Sequence, residues 1–321
     1  MKRTLILVVL FLAVAVLLWQ PAQHAAPPDN APHYTADGKL IKPANYRDWV
    51  FLTSGLGMNY SAGPSMHPMF TNVFVNLEAY REFARSGHWP DQTTWIVELY
   101  WPVTHGSINQ GGHYQDAPMG LDVEVKDASR PNGWQYYFVG LDDDAVAETR
   151  GAANCLSCHS KSGAVENTFV QFYPTLLDVA VKKRTLNPGY VAPLNTMRLY
   201  EAIVDGGWEK AAAALDADAK LNPDSEFLTQ EKLSGVADRL MSNGKKAEAV
   251  ALDERIAREH PASVEAVGSL GDAYLLAGRR PEAIAALKKA LQLLPNDAAI
   301  PAGDRPGWEK EIQKRLTELS K

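Results

Sequence analysis

The stretch "NCLSCHSK", residues 154–161, holds both cysteines of this 321-residue chain, and His159 follows the second of them directly. If Asn154 caps a helix that begins at Cys155, then Cys155, Cys158 and His159 stand at i, i+3 and i+4 and share one face. Two thiols on such a face can add across the two vinyl groups of a haem. The neighbouring imidazole then comes up beneath the iron as its proximal ligand. Cys-x-x-Cys-His is the attachment signature of a c-type haem. Other uses of the pair each want something the sequence does not display. A thioredoxin-like redox pair wants a preceding strand in a βαβ unit. A structural zinc ion wants four ligands, and no second Cys/His cluster exists. A disulfide across so short a loop would be strained. The expectation is one covalent haem c, with thioethers at Cys155 and Cys158 and with His159 on the iron.

The first residues set the compartment. Lys2 and Arg3 precede an uncharged, almost wholly apolar run from Thr4 to Trp19. Such a segment reads as an export signal, either cleaved or kept as a membrane anchor, with its basic end in the cytoplasm. Residues 1–20 are therefore expected to be signal or anchor, and residues 21–35, rich in Pro and Ala, a flexible tether. The rest is expected in the periplasm, soluble or tethered to the inner membrane. The formal net charge of -6 and the absence of a long basic run argue against nucleic acid as a partner.

Periodicity divides the remainder at "LNPGYVAPLN", residues 186–195. Upstream, over 36–185, the pattern is α+β: a small antiparallel sheet with flanking helices. Strands are expected at 70–76, 93–102, 121–127 and 133–140. Helices are expected at 44–57, 77–87, near 143–150, at the cysteines and over 169–182. Residues 105–120, rich in Gly and polar side chains, read as a loop. Downstream, over 193–321, the pattern is wholly helical and resembles tetratricopeptide (TPR) repeats. Leu270, Gly271, Tyr274, Ala283, Leu287, Ala290 and Pro295 fit that pattern, and Pro261 precedes Pro295 by one 34-residue period. A more degenerate unit precedes these, and residues 307–321 read as a polar capping helix. The array is expected to dock a peptide or partner protein, or to mediate self-association.

Four stretches carry a further resemblance: "NYRDWVFL" (45–52), "NVFVNLEAYREFARSGHWPDQTT" (72–94), "GLDVEVKD" with "GWQYYFV" (120–139), and "CLSCH" with "FVQFYPTL" (169–176). Together they resemble the cytochrome P-460 family, which includes the cytochromes c-prime-beta. The resemblance implies exported c-type haem proteins with a largely β fold, often homodimeric, whose five-coordinate iron has histidine on one side and an open site on the other. Some members oxidise hydroxylamine and carry a lysine bonded to the porphyrin; others lack it, have an apolar distal pocket and bind nitric oxide. Val97 stands where the resemblance would put that lysine, so an un-crosslinked haem is expected. Asp122 matches the position of a distal acid in the enzymatic branch, where a carboxylate can relay protons.

Alternation puts Asp122, Glu124 and Lys126 on one strand face and Leu121, Val123 and Val125 on the other. The polar face can equally be wet surface, with Glu124 and Lys126 as surface charges. Trp95, Val97 and Leu99 share a face that suits core as well as pocket; Phe70 and Phe74 are core or pocket wall. His67, beside Pro68, is a turn residue or a sixth iron ligand. His105 and His113 sit in the polar loop, and Met58, Met66 and Met69 fill gaps. The expected ligand is nitric oxide or a related small nitrogen oxide. The alternatives are an oxidoreductase acting on hydroxylamine or nitric oxide, and a six-coordinate electron carrier; a redox partner protein is expected.

Overall fold

A computed structural model describes residues 30–60, 68–150, 152–223 and 225–319. The expected signal segment and His67 lie outside the described residues. The chain forms two compact units, one through Tyr190 and one from Val191.

Alternating apolar and β-branched runs build the first unit's sheet. Strands β2 (Val50–Leu56), β3 (Phe70–Val75), β4 (Thr94–Val103), β5 (Tyr114–Lys126) and β6 (Trp134–Val139) follow one another as an antiparallel meander. A short ribbon pairs β1 (Leu40–Ile41) with β7 (Ala145–Val146). Because side chains alternate, the sheet has two distinct faces. Ile96, Leu121, Val123, Val125, Tyr137 and Val139 fill one with Leu40 and Trp49. Phe74 packs against this cluster too, and Phe70, four residues earlier on the same strand, shares its side; neither lines the cavity described below.

Helix α1 (Leu77–Ser86) links β3 to β4 and ends at Gly87, whose φ of 79° is the left-handed cap that glycine adopts without penalty. Its Phe83 stacks on Trp89 at 4.0 Å. Trp89 meets Trp95 edge-on at 4.7 Å, and Trp95 stacks on Tyr173 at 4.9 Å. This aromatic row ties α1 and β4 to helix α3 (Pro174–Lys183). Each such contact adds roughly 0.5–1.5 kcal/mol beyond its buried area.

Four expectations need correction. Residues 44–57 hold only a 3-10 turn, Tyr46–Asp48, before β2, because "VFLTS" pairs with β3. β4 runs past Pro102 and β5 begins at Tyr114, since a bulge lets the two strands keep pairing into the expected loop. Residues 143–150 are turn and β7 rather than helix. The span 169–182 is split into a 3-10 turn, Val170–Phe172, and α3, which starts at Pro174, a residue suited to a first helical turn.

The second unit stacks helix pairs. They are α4 (Thr196–Gly206) with α5 (Trp208–Leu221), α6 (Gln230–Ser242) with α7 (Lys246–Glu259), and α8 (Val264–Leu276) with α9 (Arg280–Leu293), followed by α10 (Arg305–Leu319). Asn195, Thr229 and Ser263 each cap the first helix of a pair with a side-chain oxygen. These caps recur every 34 residues, so the degenerate first unit is in register with the other two. Its core is Leu199, Ile203, Leu215, Leu233, Leu240 and Ile256; the next layer centres on Val264, Val267, Leu287 and Ala290. The chain is thus α+β with a TPR-like helical array.

Candidate functional site

Helix α2 (Ala152–Ser162) carries the cysteine motif. It begins three residues earlier than the sequence suggests, because Ala152 already donates its N–H to the Thr149 carbonyl and two alanines favour helix. Asn154 is therefore inside the helix and caps nothing. Cys155, Cys158 and His159 still share a face. Both thiols are free, Cys155 half-buried and Cys158 exposed.

The helix lies over the sheet face opposite the core. Strand register brings Val73, Val97, Asp122 and Phe138 into one row and Val75, Trp95, Glu124 and Tyr136 into the next. Between this face and α2 is a cavity of about 310 Å3, at the lower end of the range for ligand sites. Cys155, His159, Val97, Leu99, Asp122 and Glu124 all line it, together with Tyr136 and Phe169. Met58 and Met69 also line it, whereas His105 and His113 are exposed and do not.

His159 is fixed at one nitrogen. Its Nδ1–H donates to the Asn167 carbonyl at 2.9 Å, which leaves Nε2 as the free lone pair. Phe169 packs against the ring at 4.3 Å and Tyr136 meets it edge-on at 5.1 Å. Burial lowers the imidazole pKa, so the ring is neutral and ligand-competent at pH 7. Nε2 lies 3.4 Å from Glu124 Oε1. Burial, then the Asp122 charge, push Glu124 up to about 8, so this is a contact between neutral groups rather than a salt bridge. Asp122 opens toward solvent through the cavity, yet the surrounding protein pushes its carboxyl up to about 6. Burial also raises Cys155, which favours the thiol over a reactive thiolate in the free chain.

The loop behind His159 is clamped. Lys126 Nζ donates to Glu166 Oε2 at 2.5 Å and to the Trp89 carbonyl at 2.6 Å. Trp134 Nε1 donates to the Glu166 carbonyl at 2.9 Å. Lys126 is on the polar face of β5, but its charge is committed to this clamp; among the described residues no lysine lines the cavity. The expectation that Glu124 and Lys126 are wet surface charges fails, because α2 and its loop cover that face. Glu124, Tyr136, Asn167 and Phe169 are the residues sequence reasoning missed. Alternation already placed Glu124 beside Asp122, but nothing in the strand says which face a distant helix will cover.

Residues 43–170 match the model of the cytochrome P460 family. Over those residues the chain is similar to the cytochrome P460 family. That likeness implies a c-type haem protein, and three features of the site fit such a group. Two cysteines and a histidine share a helix face, and a neutral imidazole turns Nε2 into the cavity, where Glu124 Oε1 stands 3.4 Å away. Tyr136 lines the same cavity and supports the imidazole edge-on.

No curated protein matches the chain. Among solved structures, PcrH from Pseudomonas aeruginosa is similar at 14% identity over 39% of this chain and 92% of its own, with a TM-score of 0.27. The N-terminal domain of stress-induced protein-1 from C. elegans is similar at 21% identity over 39% and 92%, with a TM-score of 0.24. MamA from Desulfovibrio magneticus RS-1 is similar at 17% identity over 53% and 90%, with a TM-score of 0.25. At these scores the likeness carries no argument, and the array's description rests on its own 34-residue spacing.

Proposed function

We propose that the chain is an exported mono-haem c-type cytochrome that binds nitric oxide or a related small nitrogen oxide on the open side of its iron. The observation that carries this reading is the shared face of Cys155, Cys158 and His159, with Nε2 of His159 facing a cavity that Val97 and Leu99 line. A haem bound there supplies a redox-active iron with a coordination position for a small ligand. Cys155 and Cys158 hold it covalently. Asn167 orients His159. Val73, Val97 and Leu99 keep one wall apolar, which favours a neutral diatomic over a hydrated ion. Val97 cannot form the porphyrin bond that a lysine would, so the haem keeps an ordinary c-type spectrum.

A second reading, an oxidoreductase acting on hydroxylamine or nitric oxide, is favoured by one observation. Asp122 and Glu124 both face the cavity with raised pKa values, so either can hold a proton near neutral pH and pass it to a bound nitrogen species. Absorption spectra of the ferric and ferrous protein with and without nitric oxide test the first reading. A spectral change on adding nitric oxide, with no turnover of hydroxylamine and an electron acceptor, is expected. Hydroxylamine turnover that Asp122→Ala abolishes would establish the second reading instead. A low-spin ferric spectrum indifferent to nitric oxide would indicate an electron carrier with both axial positions filled. On this proposal the molecule is periplasmic and exchanges electrons with a redox partner protein, and the array docks a protein segment.

A further inference from the structure

The second unit has a concavity of about 700 Å3 between α8 and α10. Its walls carry Glu265, Asp272, Asp304 and Glu311, one guanidinium, Arg315, and the indole of Trp308. Arg315 is already occupied by Asp272 at 2.6 Å and Glu311 at 3.3 Å. Glu265 meets only the Gln230 amide, at 3.3 Å, and no cation pairs with Asp304 among the described residues. Trp308 keeps 38% of its surface exposed beside these carboxylates. An exposed indole flanked by unpaired acids is a receptor for a cationic side chain, which the ring's negative face attracts.

A separate observation lies one period back. Asp238 and Asp272 occupy equivalent positions 34 residues apart, and so do Asp253 and Leu287. Leu287 is fully buried in the core of its helix pair. Asp253 is also buried, with 6% exposure, where the array's next period packs a leucine. No cation pairs with it among the described residues, and the charges it feels most are Asp238 and Asp272. Asp272, one of those two, lines the concavity, so Asp253 adds negative potential behind its wall. Contrast Glu98 in the first unit, buried to a similar degree, which accepts from Tyr46 Oη at 2.7 Å and from Arg47 Nε at 2.8 Å. A buried acid without such partners is a cost to the fold that an arriving cation would offset.

We propose that this groove receives a lysine- or arginine-bearing peptide segment of a partner protein. One cationic side chain lies on Trp308 with its head at Asp304 and Glu265, in a negative potential that Asp253 deepens from behind Asp272. The proposal specifies the charge class of the array's partner and does not depend on the haem, so its test and the nitric oxide test fail independently.

The test is fluorescence anisotropy of a labelled octapeptide of alternating Lys and Ala with the full chain at physiological ionic strength. Peptides with Gln or Glu in place of Lys serve as comparisons. Binding of the Lys peptide alone is expected. Trp308→Ala should weaken it roughly fivefold. Asp304→Asn should weaken it about fivefold, and Asp253→Asn should weaken it less while raising the array's melting temperature, an outcome that loss of folding cannot imitate. Asp142→Asn, an exposed acid of the first unit, should change nothing. The proposal is overturned if the Lys peptide binds no better than the Gln peptide. Full affinity in both groove variants, or equal loss in Asp142→Asn, overturns it as well. Spermidine competing as well as the peptide would replace the peptide with a free polyamine.

Discussion

His159 is held at Nδ1 while Nε2 faces Glu124 across the cavity wall, and the residue that holds Nδ1 sits in a strained loop. Glu166 and Asn167 both have positive φ, 45° and 64°, which non-glycine residues adopt at a cost that surrounding contacts must offset. Gly163 begins that loop at a point where a Cβ would stand 2.6 Å from the His159 carbonyl oxygen and 2.8 Å from the backbone of Asn167 and Thr168. Backbone cannot move aside as a side chain can. Gly163→Ala should cost about 2 kcal/mol in chemical denaturation and perturb the ferric spectrum, because the Asn167 carbonyl moves with the loop. An unaltered spectrum and midpoint would show that the loop does not position the imidazole. The two cavity acids set a pH dependence. In a Cys155→Ala/Cys158→Ala chain, which cannot attach haem, the folded pKa values of Glu124 and Asp122 exceed their unfolded ones, so the folded state binds protons more tightly. Their contribution to stability is then fully present below about pH 4 and is lost as pH rises through about 6 and about 8. Melting temperature should fall across that window, and Glu124→Gln should flatten the upper part. A rise across the window would contradict the assignment. Of these residues the cysteine–histidine face was legible from helical spacing alone. Asn167 was not, because a backbone carbonyl eight residues away leaves no mark on sequence pattern.

At the scale of elements, the 34-residue caps are a direct handle on the array. Asn195 Oδ1 accepts from the Arg198 N–H at 2.8 Å. Asn195→Ala should lower the array's stability by about 1 kcal/mol, read by helical circular dichroism during thermal melting. Asp253 acts in the opposite sense. Burial, then the neighbouring Asp238 and Asp272, push its carboxyl up to about 7, so its contribution declines as pH rises from about 4 to 7. Asp253→Leu should stabilise the array by about 2 kcal/mol at pH 7 and by little at pH 4. Equal stability of the two chains at both pH values would show that the acid is not strained. Elements with strong local signals were legible: α1 with its Gly87 stop, β3, β6 and the last two helix pairs. Those settled by distant pairing were not. "VFLTS" reads as helix beside "NYRDW" until β3 is there to pair with it, and β5 gains its first residues only from the bulged partner across β4.

For the whole molecule, the two units carry separable chemistry. The first gathers a covalent haem motif, a fixed neutral imidazole and a mixed apolar and acidic cavity; the second gathers unpaired carboxylates around an exposed indole. A formal charge of -6 makes any cationic partner's affinity fall as salt is added, so peptide binding should weaken severalfold when ionic strength is raised well above physiological. Salt-independent binding would point to an apolar contact instead. The central claim is that Cys155 and Cys158 carry a haem over His159. Intact-mass measurement of the purified chain under denaturing conditions tests it most directly. The account predicts a mass above the bare polypeptide by one haem, retained after unfolding and lost in Cys155→Ala/Cys158→Ala. A chain at the mass of the polypeptide alone would contradict it.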